Sequence, residues 1–293
     1  MAQDLWSSGD AYEGYVGRWS RPVAERFVAW VGPRPGAAWV DVGCGTGALT
    51  AAIVESAEPS RVVAVDPSPE FIDDVRKRVS DERVEPRVGD GLALPVADSV
   101  ADYVVSGLVL NFIPNPEAAV AEMRRVARPG ATVAAYVWDY ADGMQMLRAF
   151  WDAAVHLDPA AAELDEAVRF PLCHPDRLTA LFAGAGLGEV ATRELVVPTI
   201  FADFDDFWTP FLSGQGPAPG YCASLSAESL GLLRNELRAT LAPTAAQSSC
   251  RPGRGPSEAA PRHRAGDGAR LTSCETVGPH APRLAYSSSG PWG

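Results

Sequence analysis

The residues with the most evident chemistry form one run, Val40-Asp41-Val42-Gly43-Cys44-Gly45-Thr46-Gly47, set between a Val-rich stretch and a helix-compatible one. Glycines at 43, 45 and 47 let the backbone turn tightly and approach a ligand with no Cβ in the way. A helix starting behind them offers unpaired N–H groups and its positive end to a carboxylate or phosphate. Nineteen residues after Gly47 the run RVVAVD ends at Asp66, where a carboxylate can accept both hydroxyls of a ribose. Gly89-Asp90-Gly91 closes a third such run, placing another carboxylate where it can receive an exocyclic adenine N–H. The pattern points to a cofactor with a nucleoside. The glycines alone leave its identity open, because Gly43-x-Gly45-x-x-Ala48 also satisfies the loose dinucleotide fingerprint.

These residues need a scaffold that brings strand ends together. Helix-compatible stretches at 10–31, 47–57, 68–79, 117–127, 144–156 and 175–185 alternate with Val- and Ala-rich runs at 37–43, 61–66, 84–90, 101–107 and 131–139. That alternation predicts βαβ units and an α/β, doubly wound, mostly parallel sheet with helices on both faces. A sixth strand is expected over 189–198. The aromatic stretch 201–243 reads as an insertion over the sheet, with Phe204, Phe207, Trp208 and Phe211 at helical spacing.

The remaining composition excludes several classes. The chain has 293 residues and a net charge of −12, a poor match to proteins that hold phosphate backbones by counterion release. Five scattered cysteines with no Cys-x-x-Cys pair suggest neither a disulfide framework nor a structural metal. The N-terminus lacks the basic and apolar regions of a signal peptide. No apolar run approaches the roughly 18 residues of a membrane span. The expectation is a cytoplasmic protein with a small-molecule partner, without nucleic acid or membrane; its oligomeric state is open.

With LPVADSVADYVVSGLVLNFIPNPEAAVAEMRRVARPGATV following Asp90, the pattern resembles the class I S-adenosylmethionine-dependent methyltransferases. It is most similar to the small-molecule branch that includes the ubiquinone and menaquinone C-methylases. The resemblance covers about residues 10–200 and is most specific over 38–139. It implies a Rossmann-like methyltransferase sheet with S-adenosyl-L-methionine as cofactor. Gly43, Cys44, Gly45 and Gly47 would then line the methionine end, with Asp41 ordering the loop. Asp66 would hold the ribose, Pro67 and Ser68 would flank the adenine, and Asp90 and Gly91 would meet its amine and ring. Ser106 would sit beside the sulfonium. Tyr12, Tyr15, Arg18 and Trp19 in AYEGYVGRWS match an aromatic N-terminal lid over 1–36, with Arg18 available to the methionine carboxylate.

A sulfonium is already activated, so in-line displacement needs mainly proximity, orientation and a dry pocket. A base is needed only where the acceptor must lose a proton. Asn111, just after the fourth strand, is the candidate near the acceptor; His156 and His174 are read as surface or structural residues and Asp139 as closing a turn. Ser106-Gly107-Leu108-Val109 lacks the Asn/Asp-Pro-Pro-Tyr motif of the amino-methylases of nucleic-acid bases. Two alternatives stand beside a small-molecule methyltransferase. One is an NAD-dependent oxidoreductase, and the other a catalytically impaired cofactor-binding protein.

That last alternative arises from the C-terminus. From Ala246 onward, Gly, Pro and Ser supply 20 of 48 residues, and six Arg oppose three acids. A segment with so little to bury is expected to be disordered. The codons of Gln247–Ala259, read out of frame, permit an apolar, Val-rich string, so a shifted reading frame is a second account of the tail. The family's sheet ends in an antiparallel hairpin of strands six and seven. The final antiparallel strand is therefore expected to be missing or disrupted, leaving an exposed edge.

Overall fold

The computed structural model describes residues 17–213 and 216–241 and the strand 269–276. Seven strands form one sheet: β1 (Ala38–Val42), β2 (Arg61–Asp66), β3 (Val84–Val88), β4 (Ala101–Gly107), β5 (Ala127–Trp138), β6 (Val190–Val197) and β7 (Ala269–Thr276). Their order is β3-β2-β1-β4-β5-β7-β6. The first five strands are parallel. The helices between them are α1 (Ser20–Val31), α2 (Ala48–Ser56), α3 (Pro69–Arg78), α4 (Pro116–Val126), α5 (Gln145–Leu157), α6 (Glu166–Arg169) and α7 (Pro175–Gly184). After β6 come α8 (Phe204–Trp208), α9 (Pro217–Ser224) and α10 (Ala227–Leu241). The doubly wound α/β class expected from the alternation is the one observed.

Local chemistry explains where the helices begin. Ser68 accepts from the Phe71 N–H at the start of α3, and Asn115 accepts from the Ala118 N–H at the start of α4; each is followed by a proline. Both are side-chain caps with proline at the first helical position, where its missing N–H costs nothing. The central strands read as nearly unbroken apolar runs because both faces are covered. Val40, Val42, Val62, Val65, Val104 and Val105 are all buried. Trp39 stacks on Tyr103 at 4.2 Å across β1 and β4, and Phe27 of α1 meets Tyr136 of β5 at 4.5 Å.

The aromatic stretch after β6 forms α8 and a short 3-10 turn, Thr209–Leu212, rather than one long helix. Pro210 supplies no N–H for a continuing α-helix. Phe207, Trp208 and Phe211 are buried, and Phe211 stacks on Phe150 of α5 at 4.4 Å. This segment packs its aromatic face on the body.

The far edge of the sheet departs from expectation. β6 has no partner among the five parallel strands. Its ladder is to β7, which lies antiparallel between β5 and β6. The place expected to be vacant is thus filled by the backbone of Ala269–Thr276, inside the segment expected to be disordered. Ladder bonds need only main-chain N–H and C=O groups, and this stretch holds no proline, so a poorly apolar composition does not bar it. Residues 242–268, which include the proposed out-of-frame stretch 247–259, and residues 277–293 lie outside the described residues.

The order reverses between β1 and β4. Both leave the sheet at the same end, which opens the crevice where ligands bind in α/β sheets. The Gly43–Gly47 loop, Asp66, Gly89–Gly91 and the residues after β4 all sit at that end.

Candidate functional site

The β1–α2 loop is held shut on one side and open on the other. Gly43 has φ +74°, and a Cβ there would lie 2.5 Å from Val109 Cγ1, so the residue after β4 leaves no room for a side chain. Gly45 has φ +50° with nothing within 4 Å of a would-be Cβ, so this part of the backbone faces open space. The N–H groups of Gly43 and Cys44 both donate to the Val65 carbonyl, which pins the loop to β2. Gly47 caps α2 without a side-chain acceptor, so the helix's first turn keeps its donor potential for a ligand.

Asp66 closes the same loop from β2. Its Oδ2 accepts the Gly45 N–H at 3.0 Å and its Oδ1 accepts the Ser68 N–H at 2.9 Å. Each carboxylate oxygen has a further lone pair for a hydroxyl donor. Burial raises its carboxyl above the ordinary value, while the two backbone bonds hold it down. Asp41, at the end of β1, is wholly buried. Thr50 of α2 donates its hydroxyl to Asp41 Oδ2 at 2.7 Å, while Oδ1 has no partner. Burial first, and then the nearby Asp66 charge, push the Asp41 carboxyl up to about 7. Cys44 lies between them with its thiol pushed well up by burial and by both acids. No salt bridge reaches Asp41 or Asp66 among the described residues. Two nearly buried acids without a cation favour a ligand that brings positive charge.

The other expected residues fall into distinct places. Pro67 is exposed beside Asp66, and Ser68 is committed to capping α3. Asp90 is exposed, with Oδ1 accepting the Leu92 N–H at 2.9 Å. Gly91 lies against Ile113 and Val42, where a Cβ would meet them at 3.4 and 3.5 Å. These residues form one wall from β3 across to β1. Ser106 is buried, and its hydroxyl donates to the Val42 carbonyl at 2.8 Å, locking β4 to β1. Arg18 pairs with Asp206 at 2.8 Å and stacks over Trp19 and Phe201 at 4.4 and 4.7 Å. This ties the chain before α1 to the segment after β6. Tyr12 and Tyr15 lie outside the described residues.

On the acceptor side, Asn111 follows β4 with its Nδ2 buried and unpartnered. Its neighbour Phe112 packs edge-on against Phe170 at 5.0 Å, and Tyr140 meets Phe170 at 5.6 Å. Polar atom and aromatic wall therefore adjoin at the ends of β4 and β5. Cys173 is buried with its thiol pushed up, so the adjacent Cys173 and His174 offer no nucleophile. No group of metal-ligating side chains occurs among the described residues.

The sequence reading passed over Thr50 and Val109. Thr50 carries a usable signal, because helical side chains lean toward the N-terminus and it stands in the first turn after the last glycine. Val109 carries none, because its contact depends on how β4 ends.

The residues fit a nucleoside cofactor with a cationic end: an open glycine backbone, an orphaned buried Asp41 oxygen and an acid at the end of β2. Residues 40–135 match the family described as "Methyltransferase domain". The chain is 31% identical over 182 residues to malonyl-[acyl-carrier protein] O-methyltransferase of Serratia marcescens, covering 57% of this chain and 70% of that protein. It is 35% identical over 111 residues to demethylmenaquinone methyltransferase of Staphylococcus aureus, covering 37% and 46%. Other curated relatives are spanned over only 29% or 48% of their length. Among solved structures, Haemonchus contortus phosphoethanolamine N-methyltransferase 2, in complex with phosphomonomethylethanolamine and S-adenosylhomocysteine, matches with a TM-score of 0.55. That match has 17% identity and covers 92% of this chain and 57% of that one, a likeness of fold.

Proposed function

The chain belongs to the methyltransferase family, and from that premise we propose that it moves a methyl group from S-adenosylmethionine to a small-molecule acceptor by in-line displacement. The observation that carries this reading is the closure of the open Gly45 backbone onto the Asp66 carboxylate. That contact sets a carboxylate beside the open Gly45 backbone, which supports a ribose-binding role for Asp66. The strand order adds weight, because an antiparallel β7 between β5 and β6 differs from the 3-2-1-4-5-6 order of dinucleotide folds. A menaquinone precursor and phosphoethanolamine in the names of similar proteins, and a malonyl group carried on a protein in another, favour a small acceptor group over a nucleic acid.

In this reading Asp66 takes the ribose hydroxyls, and the free N–H groups opening α2 take the carboxylate of the methionine end. Asp90 and Gly91 bound the adenine. When bound, the cofactor supplies a methyl group already activated on sulfur. The protein's part is to orient the acceptor and exclude water. Asn111 Nδ2 is the donor assigned to the acceptor, and Phe112, Tyr140 and Phe170 form its apolar wall. An amide cannot take up a proton, so Asn111 orients and does not act as a base. A cytoplasmic location belongs to the same reading. No helix among the described residues is long and apolar enough to cross a membrane.

Calorimetric titration with S-adenosylhomocysteine tests the assignment. The parent is expected to bind at micromolar concentrations, while Asp66→Ala loses binding and keeps a cooperative thermal transition. A folded parent that does not bind overturns the reading. Binding without turnover on any acceptor would instead favour a catalytically impaired cofactor-binding protein.

A further inference from the structure

The two acids behind the glycine loop are bonded differently. Asp66 has both oxygens engaged by backbone N–H groups, the arrangement that suits an anion. Asp41 is wholly buried and is bonded only by Thr50, through its hydroxyl on Oδ2 and its backbone N–H, with nothing on Oδ1. The hydroxyl bond can persist in either protonation state, because Thr50 can donate to a carboxylate or accept from an acid, but as a donor it favours the anion only partly against the burial. Buried acids close enough to couple do not both ionise readily, so one proton belongs to the pair, and the bonding assigns it to Asp41. The ionisable groups facing Asp41 are Asp66 from β2 and Cys44 from the loop, while α2 contributes the Thr50 hydroxyl. None of these supplies positive charge.

Resting on the cofactor reading above, we propose that Asp41 holds a proton in the free protein and gives it up as the cationic cofactor binds, so that cofactor affinity is proton-linked. Asp41 is buried, so it acts through low-dielectric space rather than by contact and is a positioning residue, not a catalytic one. The carboxyl, pushed up to about 7, releases its proton near neutrality. A nearby cation favours the ionised form, so affinity rises with pH until Asp41 is ionised in the free protein, and is level above that. S-adenosylmethionine carries one more positive charge than S-adenosylhomocysteine. The linkage is therefore stronger for the methyl donor, and Asp41 reprotonates more readily once that charge is gone, which favours discharge of the product.

Titration of the full chain with S-adenosylmethionine and S-adenosylhomocysteine from pH 5.5 to 8.5, in two buffers of different ionisation enthalpy, measures affinity and proton release together. The wild type is expected to gain up to about tenfold in S-adenosylmethionine affinity per pH unit below pH 7, as one released proton requires. It gains less for S-adenosylhomocysteine. Asp41→Asn, the uncharged isostere, binds without proton release and with level affinity. Thr50→Val keeps Asp41, removes the bond that favours the anion, and moves the wild-type curve to higher pH. An S-adenosylmethionine affinity independent of pH in the wild type overturns the proposal while leaving the cofactor reading intact. So does proton release that survives Asp41→Asn. Absence of binding by either ligand at every pH overturns the cofactor reading and the linkage with it.

Discussion

The backbone N–H of Gly45 donates to Asp66 Oδ2 at 3.0 Å, joining the glycine loop after β1 to the last residue of β2. Twenty-one residues separate the pair in sequence, and parallel pairing of Val42 with Val65 brings them together. A ligand lying along the loop therefore meets the carboxylate without any rearrangement of the sheet.

The glycines of this loop separate folding from binding. A methyl at Gly43 would collide with Val109, whereas one at Gly45 would meet open space. Gly43→Ala combines a left-handed backbone costing about 1–2 kcal/mol with overpacking of about 1–3 kcal/mol. A fall in Tm on the order of 10 °C is expected. Gly45→Ala pays only the backbone term, so it stays folded at 25 °C and loses at least about tenfold in S-adenosylhomocysteine affinity, as about 1.4 kcal/mol would give. Differential scanning calorimetry with titration of each variant checks the split. Equal behaviour of the two would contradict it.

Ser106 was expected beside the sulfonium, but its hydroxyl is spent on the Val42 carbonyl. Ser106→Ala removes one buried hydrogen bond and is expected to lower the unfolding free energy by about 1 kcal/mol. Its affinity for S-adenosylhomocysteine should stay within about twofold, because a change of 0.4 kcal/mol or less is ordinary for a remote site. A tenfold loss of affinity with unchanged stability in urea would place the hydroxyl at the ligand instead.

The contrast between Asp66 and Ser106 shows what could be read from residues alone. Strands β1, β2, β4 and β5 were legible because buried parallel strands leave continuous Val- and Ala-rich runs, and helices α3 and α4 because Ser68-Pro69 and Asn115-Pro116 mark their starts. The place of Asp66 at the end of β2 was legible because its distance from the glycines is set by one βα unit. The partner of Ser106 lies 64 residues away and that of Arg18 lies 188 away, and no local pattern records such pairs. β7 was not legible for a related reason. A strand paired on both edges draws on backbone groups from β5 and β6, and its own residues, ARLTSCET, carry little of the usual apolar signal.

Stability should fall as pH rises through neutrality. Burial pushes Glu166 up to about 7 despite the Trp151 indole N–H on its Oε2, and Asp41 also lies at about 7. In the unfolded chain both titrate near 4, so between about pH 4 and 7 the folded chain binds more protons. Their stabilisation is complete below that window and is lost as pH rises through 7. Glu166→Gln keeps an acceptor for Trp151 and abolishes the titration. Urea unfolding at pH 5 and pH 8 should show a smaller loss in the variant, by an amount on the order of 3 kcal/mol. Equal losses in both proteins would mean that Glu166 does not exchange a proton in this range.

The antiparallel edge makes the last prediction. Thr272 in β7 pairs with Val137 of β5 and with Glu194 of β6. In an edge strand a proline can turn its missing N–H to solvent, but a strand with neighbours on both sides has no such freedom. Thr272→Pro therefore removes a ladder bond and strains the backbone, at a cost of about 3 kcal/mol. Because β6 has no ladder to the parallel strands, the damage falls first on Val190–Val197. Hydrogen exchange should show those amides losing protection by about a hundredfold, as a local loss of about 3 kcal/mol implies. Amides of β1 and β2, three and four places along the sheet from β7, should keep theirs. Unchanged protection across β6 would show that β6 is stabilised without this strand.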